Sequence, residues 1–139
     1  MKPKICSACL LGHPCRYDGK SKPNKIVIQL SKVVKLIPVC PEELGGLPTP
    51  RPASEISNGK VTTCEGTDVT AEFQKGAEAV LKIAKENNCT EAILKQRSPS
   101  CGCGQIFDGT FSETKIAGDG ITTRLLKENN IKIVTEEDL

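Results

Sequence analysis

Tryptophan is missing from this sequence, and three phenylalanines, one tyrosine and one histidine are its only aromatic rings besides. With so few rings, the core must be aliphatic. His13, the single histidine, reads as a solvated loop residue rather than a ligand. No apolar run approaches the ~20 residues needed to span a bilayer, so a membrane partner is not expected. The N-terminal MKPKICSACLLG lacks the long apolar stretch and small-residue cleavage site of a secretory signal, and a cytoplasmic protein is the expectation. Neither charge dominates: 19 Lys and Arg face 17 Asp and Glu, for a net +2 with His neutral. That balance argues against a nucleic-acid-binding surface. Lys20, Lys22 and Lys25 read as a solvated face. There is no internal repeat, low-complexity tract or composition break, so residues 1–139 read as one domain.

Cysteine is what the chain does have. The eight are Cys6, Cys9, Cys15, Cys40, Cys64, Cys89, Cys101 and Cys103. In a reducing compartment such a count points to metal binding, redox work or burial rather than to disulfides. Cys64 and Cys89 fit no motif and are expected to be buried structural thiols.

Short apolar runs alternate with helical patterns. KICSAC, KLIPVC, AILK and IKIV read as strands, and IVIQLSKVVK reads as a short helix. From Thr70 to about Asn88, Phe73, Ala77, Val80, Leu81 and Ala84 recur at helical spacing, with Asp68 or Thr70 as the cap. Gly76 inside that helix costs about 1 kcal/mol relative to alanine. GDGITTRLLKENN reads as a helix with Ile121, Leu125 and Leu126 on one face. PEELGGLPTPRPAS, rich in Pro and Gly, reads as loop. VTTCEGTDV is strand-like, and QIFDGTFS reads as a hairpin turning at Asp108-Gly109. Alternation of this kind predicts an α/β fold, Rossmann-like, with a mostly parallel sheet flanked by helices.

That architecture gives the cysteines a place. Ligands of open α/β sheets sit beyond the carboxyl ends of the strands. Cys9 follows the first strand, Cys40 ends the next clear one, and Cys101 lies just past AILK in the stiff loop RSPSCGCGQ. Three thiolates converging there would suit an iron–sulfur cluster with one iron left open to a soft sulfur ligand. Two alternatives use the same cysteines. A zinc site would take Cys6, Cys9, Cys101 and Cys103. A dithiol oxidoreductase would use the Cys6-x-x-Cys9 pair.

Four stretches carry a resemblance: CLLGHPCRYDG (9–19), CPEELGGLPTPRPASE (40–55), SPSCG (98–102) and GDGITTRLLKENNI (118–131). In order and along nearly the whole chain, they resemble the thiouracil desulfurase family. CPE-x-x-GGLPTPR and SPSCG together are highly specific. The resemblance implies a [4Fe–4S] cluster held by Cys9, Cys40 and Cys101, with Cys15 in the first motif as the alternative to one of them. It implies Glu42 and Ser98 as catalytic side chains, and hydrolytic conversion of C=S to C=O on a small-molecule thiolated nucleobase such as thiouracil. Substrate contacts are then expected at Gly45, Gly46 and Ser100. Pro48, Pro50 and Pro52 would stiffen the pocket wall. Arg51 reads as a loop anchor through a carboxylate, Tyr17 and Asp18 as turn and packing residues, and Gly118-Asp119-Gly120 as a tight turn.

Overall fold

A computed structural model describes residues 2–139. Strand β1 (Lys4–Ser7) runs into a 3-10 turn, Ala8–Leu11, and helix α1 (Lys25–Leu30) follows a long loop. Then come β2 (Leu36–Val39), the single-turn helix α2 (Pro41–Leu44), β3 (Ser54–Ser57), β4 (Lys60–Thr63) and helix α3 (Thr70–Glu86). The chain closes with β5 (Glu91–Leu94), β6 (Ile106–Phe107), β7 (Lys115–Ile116), α4 (Ile121–Glu128) and β8 (Lys132–Thr135). Strands β2, β1, β5 and β8 form, in that order, a sheet whose every pair is parallel. The α/β reading therefore holds. No helix among the described residues is long and apolar enough to cross a membrane.

The central strands β1 and β5 are short and buried on both faces, as parallel strands between helices must be, while the edge strands β2 and β8 are half-buried. Their side chains divide by parity. Ile5, Ala92 and Leu94 pack with Val80, Ala84 and Leu126 under α3 and α4. Cys6 and Ile93 face the other way, toward Val27 of α1. Helix α1 starts where the Asn24 side chain accepts from the backbone N–H groups of Ile26 and Val27, an ordinary N-cap. At the start of α3 the cap position falls to Val69, not Asp68 or Thr70, and no side chain caps the helix; Asp68 accepts from the Thr70 N–H in the preceding turn. Phe73, Ala77, Val80 and Ala84 are buried on that helix, as their spacing predicts.

Four local expectations change. PEEL is not loop: Pro41 sits at the first helical position, where its missing N–H costs nothing, and one turn forms behind Cys40. A hairpin escaped the sequence reading. β3 and β4 pair antiparallel across Asn58-Gly59, both at positive φ, the dipeptide that two-residue hairpin turns favour. The QIFDGTFS hairpin is wider than a turn at Asp108-Gly109, because β6 pairs with β7 and leaves residues 108–114 as its loop. On α4 the buried face is Thr122, Thr123 and Leu126, not Ile121 and Leu125.

Glycines lock α2 to α3. A Cβ on Gly76 would lie 1.9 Å from the Pro41 carbonyl oxygen, and one on Gly45 would lie 2.0 Å from that of Glu72. Neither backbone has room to yield. Gly76→Ala would gain about 1 kcal/mol of helix propensity. It would incur overpacking of about 1–3 kcal/mol or more. The clash wins, and we expect Gly76→Ala to lower the melting temperature by several degrees in a thermal unfolding scan.

Candidate active site

β1 has β2 on one side and β5 on the other, so the chain order switches direction between β1 and β5. Such a switch point opens a crevice at the carboxyl ends of the strands. Here it holds a cavity of about 420 Å³, in the size range of small-molecule sites. Cys9, Cys15, Cys40, Glu42, Ser98, Ser100 and Cys101 all line it. Segments nearly a hundred residues apart thus meet in one place.

Each thiol is set by its own element. Cys9 lies in the 3-10 turn that ends β1. Cys40 is the residue from which α2 starts, and its thiol donates to the Cys15 carbonyl at 3.5 Å. Cys101 is buried; its sulfur accepts from the Ser7 hydroxyl at 3.4 Å and lies 3.6 Å from the Ser100 hydroxyl oxygen. The SPSCG loop is fastened to the start of α4. The Ile121 and Thr122 N–H groups donate to the Pro99 and Ser100 carbonyls, and the Thr123 hydroxyl donates to that of Cys101. Gly118-Asp119-Gly120 serves this docking. A Cβ on Gly120 would lie 2.4 Å from the Ser100 carbonyl carbon.

The polar residues form a chain of contacts. Arg51, buried, donates from Nε to Glu42 Oε1 at 3.0 Å and from its terminal nitrogens to the Cys15 and Pro48 carbonyls and the Thr49 hydroxyl. It anchors the loop through a carboxylate, as expected. The other Glu42 oxygen accepts from Ser100 Oγ at 3.4 Å. Ser98 Oγ accepts the backbone N–H groups of Ser100 and Cys101 and lies 3.0 Å from Ser100 Oγ. With its lone pairs engaged by two N–H groups, the Ser98 hydroxyl is oriented to donate to Ser100, which in turn donates to Glu42.

Burial pushes the Cys9 thiol up to about 11 and the Cys101 thiol up to about 12, because the charged form is desolvated. Cys40 is lowered instead, because the Cys15 side chain beside it, the Glu43 N–H and the Arg51 charge favour its thiolate, and Cys15 is raised by the same contact and by burial.

The donor set fits a thiolate-held iron–sulfur cluster. Four free thiols reach one cavity, and among the described residues no three His, Cys, Asp or Glu side chains close on a point that a single ion would occupy. The zinc alternative loses its geometry, since Cys6 and Cys103 do not line the cavity with Cys9 and Cys101. The dithiol alternative loses its nucleophile. Cys6 is fully buried and its thiol is pushed up to about 12, whereas exchange requires an accessible thiolate.

Other expected positions fall outside the site. Gly45 and Gly46 do not line the cavity; Gly45 instead meets α3, and Gly46 turns the chain at φ 96°. Cys89 is buried as expected, but Cys64 is exposed, because it follows β4 in a turn rather than extending the strand. Ser7, Lys95, Tyr17, Phe107 and Phe111 line the cavity as well. Ser7 gave no signal beyond its place at the end of an apolar run, yet its Oγ accepts from the Lys95 N–H and donates to Cys101, tying β1 to β5 beneath the thiols.

The comparisons with known proteins agree with this arrangement. The chain is 41% identical over 145 residues to the uncharacterized protein YbbK of Bacillus subtilis (strain 168), covering 97% of this chain and 96% of that protein. A solved structure of a [4Fe–4S]-dependent thiouracil desulfidase, TudS, superposes with a TM-score of 0.95 at 44% identity, over 100% of this chain and 93% of that one. The family model for 2-thiouracil desulfurase matches residues 5–138, a span that takes in every motif around the cavity, and the chain belongs to that family.

Proposed function

We propose that this protein hydrolyses the C=S bond of a thiolated pyrimidine such as thiouracil to C=O, releasing sulfide, with a [4Fe–4S] cluster held by Cys9, Cys40 and Cys101. The observation that carries the reading is the convergence of those thiols with Glu42, Ser98 and Ser100 on one cavity. The cluster, when bound, supplies a Lewis-acidic iron without a protein ligand, which suits a soft sulfur and polarises the C–S bond.

The chain's own residues supply the rest. Glu42 takes a proton from the water that attacks the ring carbon, acting as general base. Arg51 fixes the carboxylate by holding Oε1, which leaves Oε2 turned toward Ser100 and the cavity. Ser98 orients Ser100 and shapes the loop behind Cys101; Ser100 carries the hydrogen bond between that loop and Glu42. Ser7 stabilises the Cys101 thiolate by donating to its sulfur. Overall, C=S and water become C=O and hydrogen sulfide, with no change in electron count. We place the reaction in the cytoplasm, where reducing conditions keep all eight thiols free.

The direct test is anaerobic reconstitution followed by assay. The expected result is a brown protein with about four irons and four sulfides per chain. It converts 2-thiouracil or 4-thiouracil to uracil with one sulfide released per turnover. A reconstituted cluster with no sulfide release from either base would refute the reading.

A further inference from the structure

The chain has only four Phe and Tyr side chains. Phe73 is sealed in the core. The other three, Tyr17, Phe107 and Phe111, all line the thiol cavity. They arrive from two distant segments, the loop before α1 and the β6–β7 hairpin. Core burial does not explain their positions, since Tyr17 is 43% and Phe111 37% exposed. Phe111 also has φ 58°, a conformation that bulky side chains rarely adopt and that clusters at functional sites. An acceptor on another element holds it there: Glu55 Oε1 on β3 takes the N–H groups of Gly109 at 3.0 Å and Phe111 at 3.2 Å.

The charges around the cavity are already engaged. Arg16, Arg51, Lys95 and Arg97 line it, and each is ion-paired within the protein. Lys22 alone among the lining cations has no ion-pair partner among the described residues. A phosphate would find no free guanidinium fork, the group best shaped to bind it. Beside Lys22, what remains for recognition is ring surface: Phe107, Phe111 and the Tyr17 face away from the Arg16 guanidinium, which lies 5.7 Å from the Tyr17 ring centroid.

We propose, resting on the desulfurase reading of the cavity, that Tyr17, Phe107 and Phe111 are its specificity-determining residues: they hold the flat face of the substrate's heteroaromatic ring, and Glu55 positions Phe111. Affinity then comes from the uncharged ring, and a 5′-phosphate on the ligand adds none.

The test uses anaerobic, cluster-loaded protein. Binding of uracil, uridine and uridine monophosphate is measured by calorimetry, and KM and kcat are measured on 2-thiouracil. Loss of one stacking partner is expected to weaken uracil binding and raise KM about tenfold in Phe111→Leu, with kcat little changed. Phe111→Tyr is expected to restore both, and uridine monophosphate to bind no more tightly than uracil. Phe111 lies at an exposed loop tip, so an unchanged melting temperature separates lost stacking from lost folding. The proposal is overturned if Phe111→Leu and Phe107→Leu both bind uracil as the parent does, if only kcat falls, or if the monophosphate binds much more tightly. Phe111-dependent uracil binding without any turnover would sink the desulfurase reading and leave ring holding intact. Turnover of thiouracil with no aromatic dependence would do the reverse.

Discussion

Cys101→Ser is expected to give a folded protein that stays colourless after anaerobic reconstitution and releases no sulfide. Serine is nearly isosteric, and the Cys101 carbonyl and N–H keep their partners on Thr123 and Ser98, so the loop should persist. What is lost is a soft thiolate at which the Ser7 hydroxyl is aimed. Replacing residues that merely support a metal ligand costs about 10–100-fold in metal affinity or activity, so losing the ligand itself should exceed that. Iron content, visible absorption and sulfide release check it. Cys64→Ser, at an exposed turn outside the cavity, should keep full iron and activity. Cys15→Ser tests whether Cys15 takes the place of one of the three proposed ligands. Retained iron supports Cys9, Cys40 and Cys101 as the ligands, whereas loss would put Cys15 among them. Because Cys9 and Cys101 hold their protons up to about 11 and about 12, binding must displace those protons. Iron uptake at fixed free iron should therefore rise from neutral to mildly alkaline pH, and a flat profile would count against these thiols as ligands.

Glu42→Gln should separate chemistry from assembly. The amide keeps its one oxygen for the Arg51 Nε–H and turns its NH2 toward the Ser100 Oγ, which can accept from it, so the cavity and its thiols stay in place. It has no basic oxygen to accept a proton from water. General acid–base groups contribute about 10²–10⁴-fold, and kcat should fall by that factor while iron content and absorption are unchanged. A variant that keeps its rate would remove Glu42 from proton transfer and leave it as an anchor for Arg51. A variant that loses iron would make its part structural.

Much of this protein is written in local sequence. Parity of Ile5, Cys6, Ala92, Ile93 and Leu94 marks buried strands, and the spacing of Phe73, Ala77, Val80 and Ala84 marks α3. These patterns work because burial follows the period of the backbone. Cavity-lining Cys9, Cys40 and Cys101 could be placed too, since each comes after a strand and ligands gather at the carboxyl ends of parallel strands. The misses have physical causes of their own. PEEL carried loop composition, but a proline at the first helical position stabilises a turn there. Gly76 looked like a helix defect until Pro41 was found against it. Gly45 looked like a ligand-facing residue and serves the same crossing.

By itself the sequence determined the α/β alternation, the aliphatic core and three thiols at strand ends, because periodicity, composition and order along the chain are local properties. Tertiary structure alone decided which partners those residues have. It set the Cys40 thiol against the Cys15 carbonyl. It turned Glu42 between Arg51 and Ser100, and put Ser7 beneath Cys101. It also gathered three of the four Phe and Tyr side chains at one opening. Such contacts join residues up to about a hundred positions apart, and no spacing rule reaches across that distance. The contacts of Ser7 and Glu42 with the loop after β5 follow only from the crossover that carries β5 to the far side of β1.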